Sequence, residues 1–274
     1  LIPLFLDGAG GRIFGLYHPP LQGVPDLGDV IFLPPFGEEL NRSRHMIARQ
    51  ARVFGHRGKG VFILDLYGTG DSGGRFEEAS WAIWLENIKT VTAWLAARGR
   101  PNPDIWAMRT GALLAAAAIT QKIVNPAKLI LWAPVANGEL FITQFLRIRL
   151  AAALEAAPDA KETTVSLRNR LAAGEVIEVG GYGLNGDISH ALSRERLEKF
   201  KPDKALTIHW LEVSGSEPPS LSPAAAKVSR IWQPLGADVI TAAVSGPPFW
   251  SLPETEWAEG LILATIALTM GVQA

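Results

Sequence analysis

The chain has 274 residues, enough for one large domain with an insertion and too few for two independent cores of that kind. Hydrophobic residues make up 48% and charged residues 19%, a balance that suits a sheet buried on both faces and excludes a disordered chain. Lys and Arg number 26 against 27 Asp and Glu, so bulk charge argues against nucleic acid or an anionic membrane as partner, and the lack of cysteine removes disulfides, thiolate metal sites and a cysteine nucleophile.

The chain opens with Leu1-Ile-Pro-Leu-Phe-Leu6, which lacks the basic stretch and the length of a signal peptide. Ile2–Asp7 and Arg12–Tyr17 read as short strands joined by the glycine-rich turn Asp7-Gly-Ala-Gly-Gly11, an antiparallel hairpin. Then come apolar runs of strand length, Asp29–Pro34, Gly60–Leu66, Asp104–Arg109, Lys128–Pro134, Leu206–Ser214 and Asp238–Ser245. Helical stretches alternate with them: Arg42–Phe54, Ser80–Ala97 with Ser80 as N-cap, Gly111–Val124, Pro223–Leu235 and Glu254–Met270. This alternation specifies a doubly wound, mostly parallel sheet with helices on both faces. The segment 138–203 breaks the pattern and is expected to be an inserted helical lid, leaving 1–137 and 204–274 as the core. The apolar run Gly260 to Val272 falls short of the roughly 18–20 residues of a membrane span, so a cytoplasmic protein without stable membrane insertion is expected.

Two opening strands, six parallel ones and an insertion after the sixth match the eight-strand plan of α/β-hydrolases. In open α/β sheets the ligand crevice lies outside the strand C-termini. There, the nucleophile of such proteins occupies a tight strand-to-helix turn of pattern G-x-S-x-G. The matching stretch is Ala107-Met108-Arg109-Thr110-Gly111, with small flanks and an arginine where the serine belongs. A guanidinium is permanently protonated, offers only donors and cannot attack a carbonyl. Arg109 is therefore expected either to anchor an anionic group or to pair with an internal acid. Thr110, one step along the turn, is expected to point elsewhere.

The loop after the third strand reads Pro34-Pro-Phe-Gly-Glu-Glu-Leu-Asn-Arg-Ser-Arg44. Amides of Phe36 and Gly37 suit an oxyanion. Glu38 or Glu39 suits a general base or a partner for Arg109, and acids in the first turn of a helix also favour its macrodipole. Met108, Phe249 and Trp250 join Phe36 and Gly37 as candidate ligand contacts. The stretch Asp65-Leu-Tyr-Gly-Thr-Gly-Asp-Ser-Gly-Gly74 contains Gly68-x-Gly70-x-x-Gly73, but a dinucleotide fingerprint needs its third glycine inside the helix, and here the helix starts near Ser80. After the seventh strand Glu217 is the only carboxylate in the acid position. After the eighth, where the histidine belongs, the chain reads Gly246-Pro-Pro-Phe-Trp250, and no histidine follows His209. His209 reads as a core residue, while His18, His45, His56 and His190 show neither triad nor metal-ligand spacing. No cofactor and no metal are expected.

The residues Pro34 to Arg44, Asp65 to Ser72, Met108-Arg-Thr-Gly-Ala-Leu-Leu114, Gln144-Phe-Leu-Arg147, Gly180-Gly-Tyr182 and Gly246-Pro-Pro-Phe-Trp250 resemble the exosortase A system-associated hydrolases of type 2. These are bacterial α/β-hydrolase-fold proteins encoded with exosortase and exopolysaccharide loci. The elbow of this chain has Ala107 where that family has glycine. The resemblance implies a hydrolase, yet no residue of a Ser-His-acid triad follows from it. Two functions remain: a hydrolase with an altered site built on Arg109, Glu38 and Glu39, or a non-catalytic protein that binds a small, anionic ligand or a partner in the same crevice.

Overall fold

The computed structural model of the protein describes residues 1–156 and 162–271; residues 157–161 of the expected insertion and the last three residues of the expected core lie outside this range. The chain begins with the strands β1 (Ile2–Gly8) and β2 (Gly11–His18), an antiparallel hairpin. There follow β3 (Asp29–Leu33), α1 (Glu38–His56), β4 (Gly60–Leu64), α2 (Trp81–Ala96), β5 (Asp104–Met108), α3 (Gly111–Thr120) and β6 (Lys128–Trp132). The inserted segment holds α4 (Gly138–Ala156), α5 (Thr164–Ala172), the small hairpin β7 (Ile177–Val179) and β8 (Tyr182–Leu184), and α6 (Gly186–Arg194). The chain returns through β9 (Thr207–Ser214), α7 (Pro223–Trp232), β10 (Asp238–Ser245) and α8 (Glu259–Met270).

The main sheet has eight strands in the order β1-β2-β4-β3-β5-β6-β9-β10. β2 runs antiparallel to both neighbours, and from β4 onwards all pairs are parallel. Every residue of β3, β4 and β5 is buried, as expected of strands covered on both faces. On one face α1 and α8 pack over Phe32, Trp106, Ile130 and Trp132. On the other α2, α3, α7 and the inserted helices pack over Ile31, Leu33, Ile105 and Leu131.

Four helix boundaries differ by three residues or more from those expected, and α7 ends at Trp232 instead of Leu235 because Gln233-Pro-Leu235 tightens into a 3-10 turn. α1 starts four residues before Arg42 because Gly37, at φ 58°, turns the chain sharply into the helix and puts Glu38 and Glu39 in its first turn. α3 stops at Thr120 because Lys122 adopts a left-handed φ of 57°. α8 starts at Glu259, not Glu254, since the loop before it presents the Glu256 carbonyl to His45 Nε2 at 2.7 Å instead of turning helical. Ser80 does cap α2, its hydroxyl accepting from the Ile83 amide at 3.1 Å.

Charged residues tie the strand N-termini together at the end of the sheet opposite the elbow. Lys59 and Asp104, both nearly buried, pair at 2.5 Å, and Arg100 joins Asp29 to Asp26. The inserted segment contacts the elbow end: Phe141 and Phe145 of α4 pack edge-on against Phe36, their ring centroids 5.6 and 5.1 Å away.

Candidate functional site

Arg109 follows the last residue of β5 with φ 52°, a left-handed conformation uncommon for a non-glycine residue. Its amide donates to the Trp132 carbonyl at 3.0 Å, and its own carbonyl accepts from Val135 at 3.0 Å and from Ala112 at 3.2 Å. The turn is as tight as a nucleophile elbow demands: a Cβ on Gly111 would stand 2.4 Å from the Leu33 carbonyl oxygen. Ala107, in the interior of β5, is fully buried without opening this turn.

The Arg109 side chain reaches across the strand tips towards α1. Nε donates to Glu39 at 3.2 and 3.3 Å, Nη2 donates to Glu39 at 3.1 Å, and Nη1 donates to the Ala133 carbonyl at 3.0 Å. The Trp250 ring lies 5.1 Å from its Cζ, within cation–π range. One N–H on each terminal nitrogen has no partner among the described residues. Each side chain of the pair keeps about a fifth of its surface exposed. Burial pushes the Glu39 carboxyl above its ordinary range, and the neighbouring guanidinium only partly offsets this.

Glu38 faces the inserted segment instead. It accepts from the Tyr182 hydroxyl at 3.1 Å and from the Asn41 amide at 3.0 Å, and it lies 3.7 Å from Arg42. Burial and the Glu38 carboxylate push the Tyr182 hydroxyl up to about 12. The two adjacent acids thus divide: Glu39 goes to Arg109, and Glu38 goes to the hairpin of β7 and β8.

Phe36, Gly37, Thr110 and Gly111 line a small cavity with Pro34, Leu66, Phe76, Trp81, Trp84, Leu114 and Leu192. Its free volume is about 20 Å³, room for one water. The amides of Phe36, Gly37 and Thr110 donate no hydrogen bond among the described residues. Thr110 is itself 5% exposed, and among the described residues the cavity it borders is lined by no carboxylate or imidazole that could take its proton. Met108 and Phe249 differ from expectation. Both are fully buried in the core beneath α1 and α8, because the side chain of Met108 points to the face of β5 opposite the elbow cavity and Phe249 packs against Trp132. Of the candidate ligand contacts, Phe36 and Gly37 reach the cavity and Trp250 reaches Arg109.

At the other triad positions, Glu217 accepts from the Ser245 hydroxyl at 3.1 Å, and Trp250 stands in the loop where a histidine would be needed. His209 lies in the middle of β9, 2% exposed, with neither ring nitrogen hydrogen-bonded. Gly73 sits in the loop before α2, outside any helix that could hold a pyrophosphate. Among the described residues no three His, Asp or Glu side chains cluster as metal ligands, and no helix is long and apolar enough to cross a membrane.

No protein-family model and no curated relative matches the chain. Solved structures do. Est1E from Butyrivibrio proteoclasticus, with ferulic acid bound, superposes with a TM-score of 0.70 at 18% identity over 98% of each chain. An α/β serine hydrolase without a lid from Xanthomonas campestris superposes with 0.56 at 15% identity over 99% of this chain and 93% of that one. The chain has the α/β-hydrolase fold. An α/β serine hydrolase homologue from Coxiella burnetii gives 0.53 at 14% identity, covering 97% and 94%. Within the α/β-hydrolase plan, β5 ends in the elbow, the loop after β3 borders the oxyanion position, and the excursion from 138 to 203 falls between β6 and β9. Asn41, Tyr182 and the Ala133 carbonyl were missing from the sequence-based candidates. Only the double glycine before Tyr182, which allows the hairpin turn at Gly180 and Gly181, marked that place in the sequence.

Proposed function

We propose that this protein is an exosortase-associated member of the α/β-hydrolase superfamily that recognises a small anionic molecule at Arg109 and forms no acyl-enzyme. The observation that carries this reading is the guanidinium at the elbow tip, oriented by Glu39 and Ala133 beside Trp250 with donors to spare. A carboxylate meets such donors as a fork, and an aromatic or acyl body packs against Trp250 and the apolar wall. Ferulic acid, an aromatic carboxylate bound by the structural neighbour Est1E, has this chemistry. The segment 138–203 acts as a lid over the crevice of a cytoplasmic protein, and the motifs from Pro34 to Arg44 and Gly246 to Trp250 support the link to exosortase loci.

Thermal-shift titration with ferulate and with its methyl ester tests the reading. The acid raises Tm, the ester does not, and Arg109→Met abolishes the difference. Stoichiometric labelling by a fluorophosphonate, or equal shifts from acid and ester, would sink it.

Hydrolysis by water is the second reading, favoured by the raised proton affinity of Glu39 and by the free amides of Phe36, Gly37 and Thr110. Here Glu39 takes a proton from water as the water oxygen adds to the acyl carbon, those amides hold the oxyanion, and Glu39 returns the proton to the alcohol oxygen as the ester C–O bond breaks. Turnover of simple aryl esters that disappears in Glu39→Gln selects this reading over pure binding.

A further inference from the structure

The two edges of the main sheet are protected differently. β1 has Pro3 and Asp7 along its length, and Phe5 is covered by the Arg12 guanidinium at 4.4 Å. Such prolines and charges keep an exposed edge from pairing with another strand. β10 carries one such charge, Asp238 at its first residue, and neither proline nor charge in the seven residues that follow. Between Asp238 and Ser245 it reads Val239-Ile-Thr-Ala-Ala-Val244, hydrogen-bonds to β9 on one side only, and keeps every one of its residues partly or fully exposed.

The helix beside it has the same character. α8 packs against β9 and β10 and gives Leu261, Ile262 and Ile266 to the core. On its outer side Leu263 is 56% exposed and Ala267 half-buried, while Ala264, Leu268 and Met270 pack partly onto the same core, and no charge follows Glu259 along the helix. A helix that is apolar all round is normally covered on both sides. An open apolar edge and an open apolar helix face therefore adjoin.

We propose that β10 and the outer surface of α8 form a two-fold interface between two copies of this chain, with the β10 strands paired antiparallel. The charges select this occupant and this direction. At the Ser245 end, the Ser245 hydroxyl donates to Glu217 at 3.1 Å. At the other end, the stem of Lys204 lies against Gly236, two residues before Asp238. An antiparallel pair about a two-fold axis at Thr241 sets the two Thr241 side chains opposite each other on one face and brings each Lys204 end beside the partner's Glu217 end. A parallel pair would set like beside like. The patch is its own complement, as a contact between identical surfaces requires. A charged foreign partner finds no free charge in its middle. This inference is independent of what the Arg109 crevice binds.

Light scattering on the full chain is the test, at about 100 µM, well above a micromolar Kd. The wild type is expected at twice the 29.5 kDa of one chain. Thr241→Lys, at the exposed centre of β10, and Leu263→Glu, on the outer surface of α8, are each expected to scatter as monomers with unchanged circular dichroism. Two variants on different elements keep the test open should one fail to fold. Mixing Thr241→Lys with Thr241→Glu restores the doubled mass by placing opposite charges across the central pair. A monomeric wild type overturns the proposal, as does a dimer that survives both substitutions.

Discussion

Arg109 sits where an acyl-transfer enzyme needs a nucleophile, and its backbone keeps the left-handed turn that displays such a side chain. At that turn the chain carries a cation, and the loop after β10 carries Trp250 and no histidine. Arg109→Ser therefore restores the nucleophile's identity without its function. We expect no hydrolysis of aryl esters and no fluorophosphonate labelling, since no imidazole stands by to take the hydroxyl proton. The same substitution strips Glu39 of its partner. Breaking a fully buried pair costs roughly 3–5 kcal/mol, and the partial exposure of both side chains reduces this to about 2 kcal/mol. Urea unfolding of Arg109→Ser against wild type reads that loss. The presence of an ionic partner for Arg109 was legible in the sequence, because two acids border the elbow in this fold. Which acid it would be was not. That choice depends on the first turn of α1, where successive residues lie about 100° apart around the helix axis, so one carboxylate faces the strand tips and its neighbour faces the insertion.

At the scale of elements, the hairpin of β7 and β8 is held to the core by few polar contacts, chiefly Tyr182 on Glu38 and Asn41, and Asn185 on the carbonyls of Glu77 and Ala79. Tyr182→Phe keeps the ring against Phe76 and removes the hydroxyl. The expected cost is about 1 kcal/mol, the net worth of such a hydrogen bond. Hydrogen exchange should rise in β7, β8 and the start of α4 while β3 and β5 remain as protected as before; uniform change or none would show that Tyr182 does not hold the hairpin. The central strands were readable from sequence because burial on both faces leaves continuous apolar runs. The hairpin was not, since its strands are three residues long and take their stability from what they pack on rather than from their own pattern.

For the whole molecule, His209 links stability to pH. Burial in β9 pushes its imidazole from 6.5 down to about 4, so the folded protein holds it neutral while the unfolded chain takes up a proton near 6.5. Between these values the unfolded state binds more protons, and stability falls as pH falls. The full contribution is present above pH 6.5 and is lost towards pH 4, a difference of about 3 kcal/mol. Urea midpoints at pH 7.5 and pH 5 should differ in the wild type by more than in His209→Leu, and equal differences would count against this origin.

The sequence by itself determined an eight-stranded, mostly parallel sheet opened by an antiparallel hairpin, because strand-length apolar runs alternating with helices have few ways to bury both kinds of surface, while the lateral order of the strands was decided by the tertiary structure. It also led to the expectation of an altered triad, since Arg109 stands at the elbow and no histidine follows His209 in the sequence. Tertiary structure alone decided that Glu39 pairs with Arg109, that Met108 and Phe249 belong to the core, and that the cavity behind the elbow has room for little more than a water. Each of these depends on side-chain direction and on distances between segments far apart in the chain, and neither is encoded in the local period of the residues concerned.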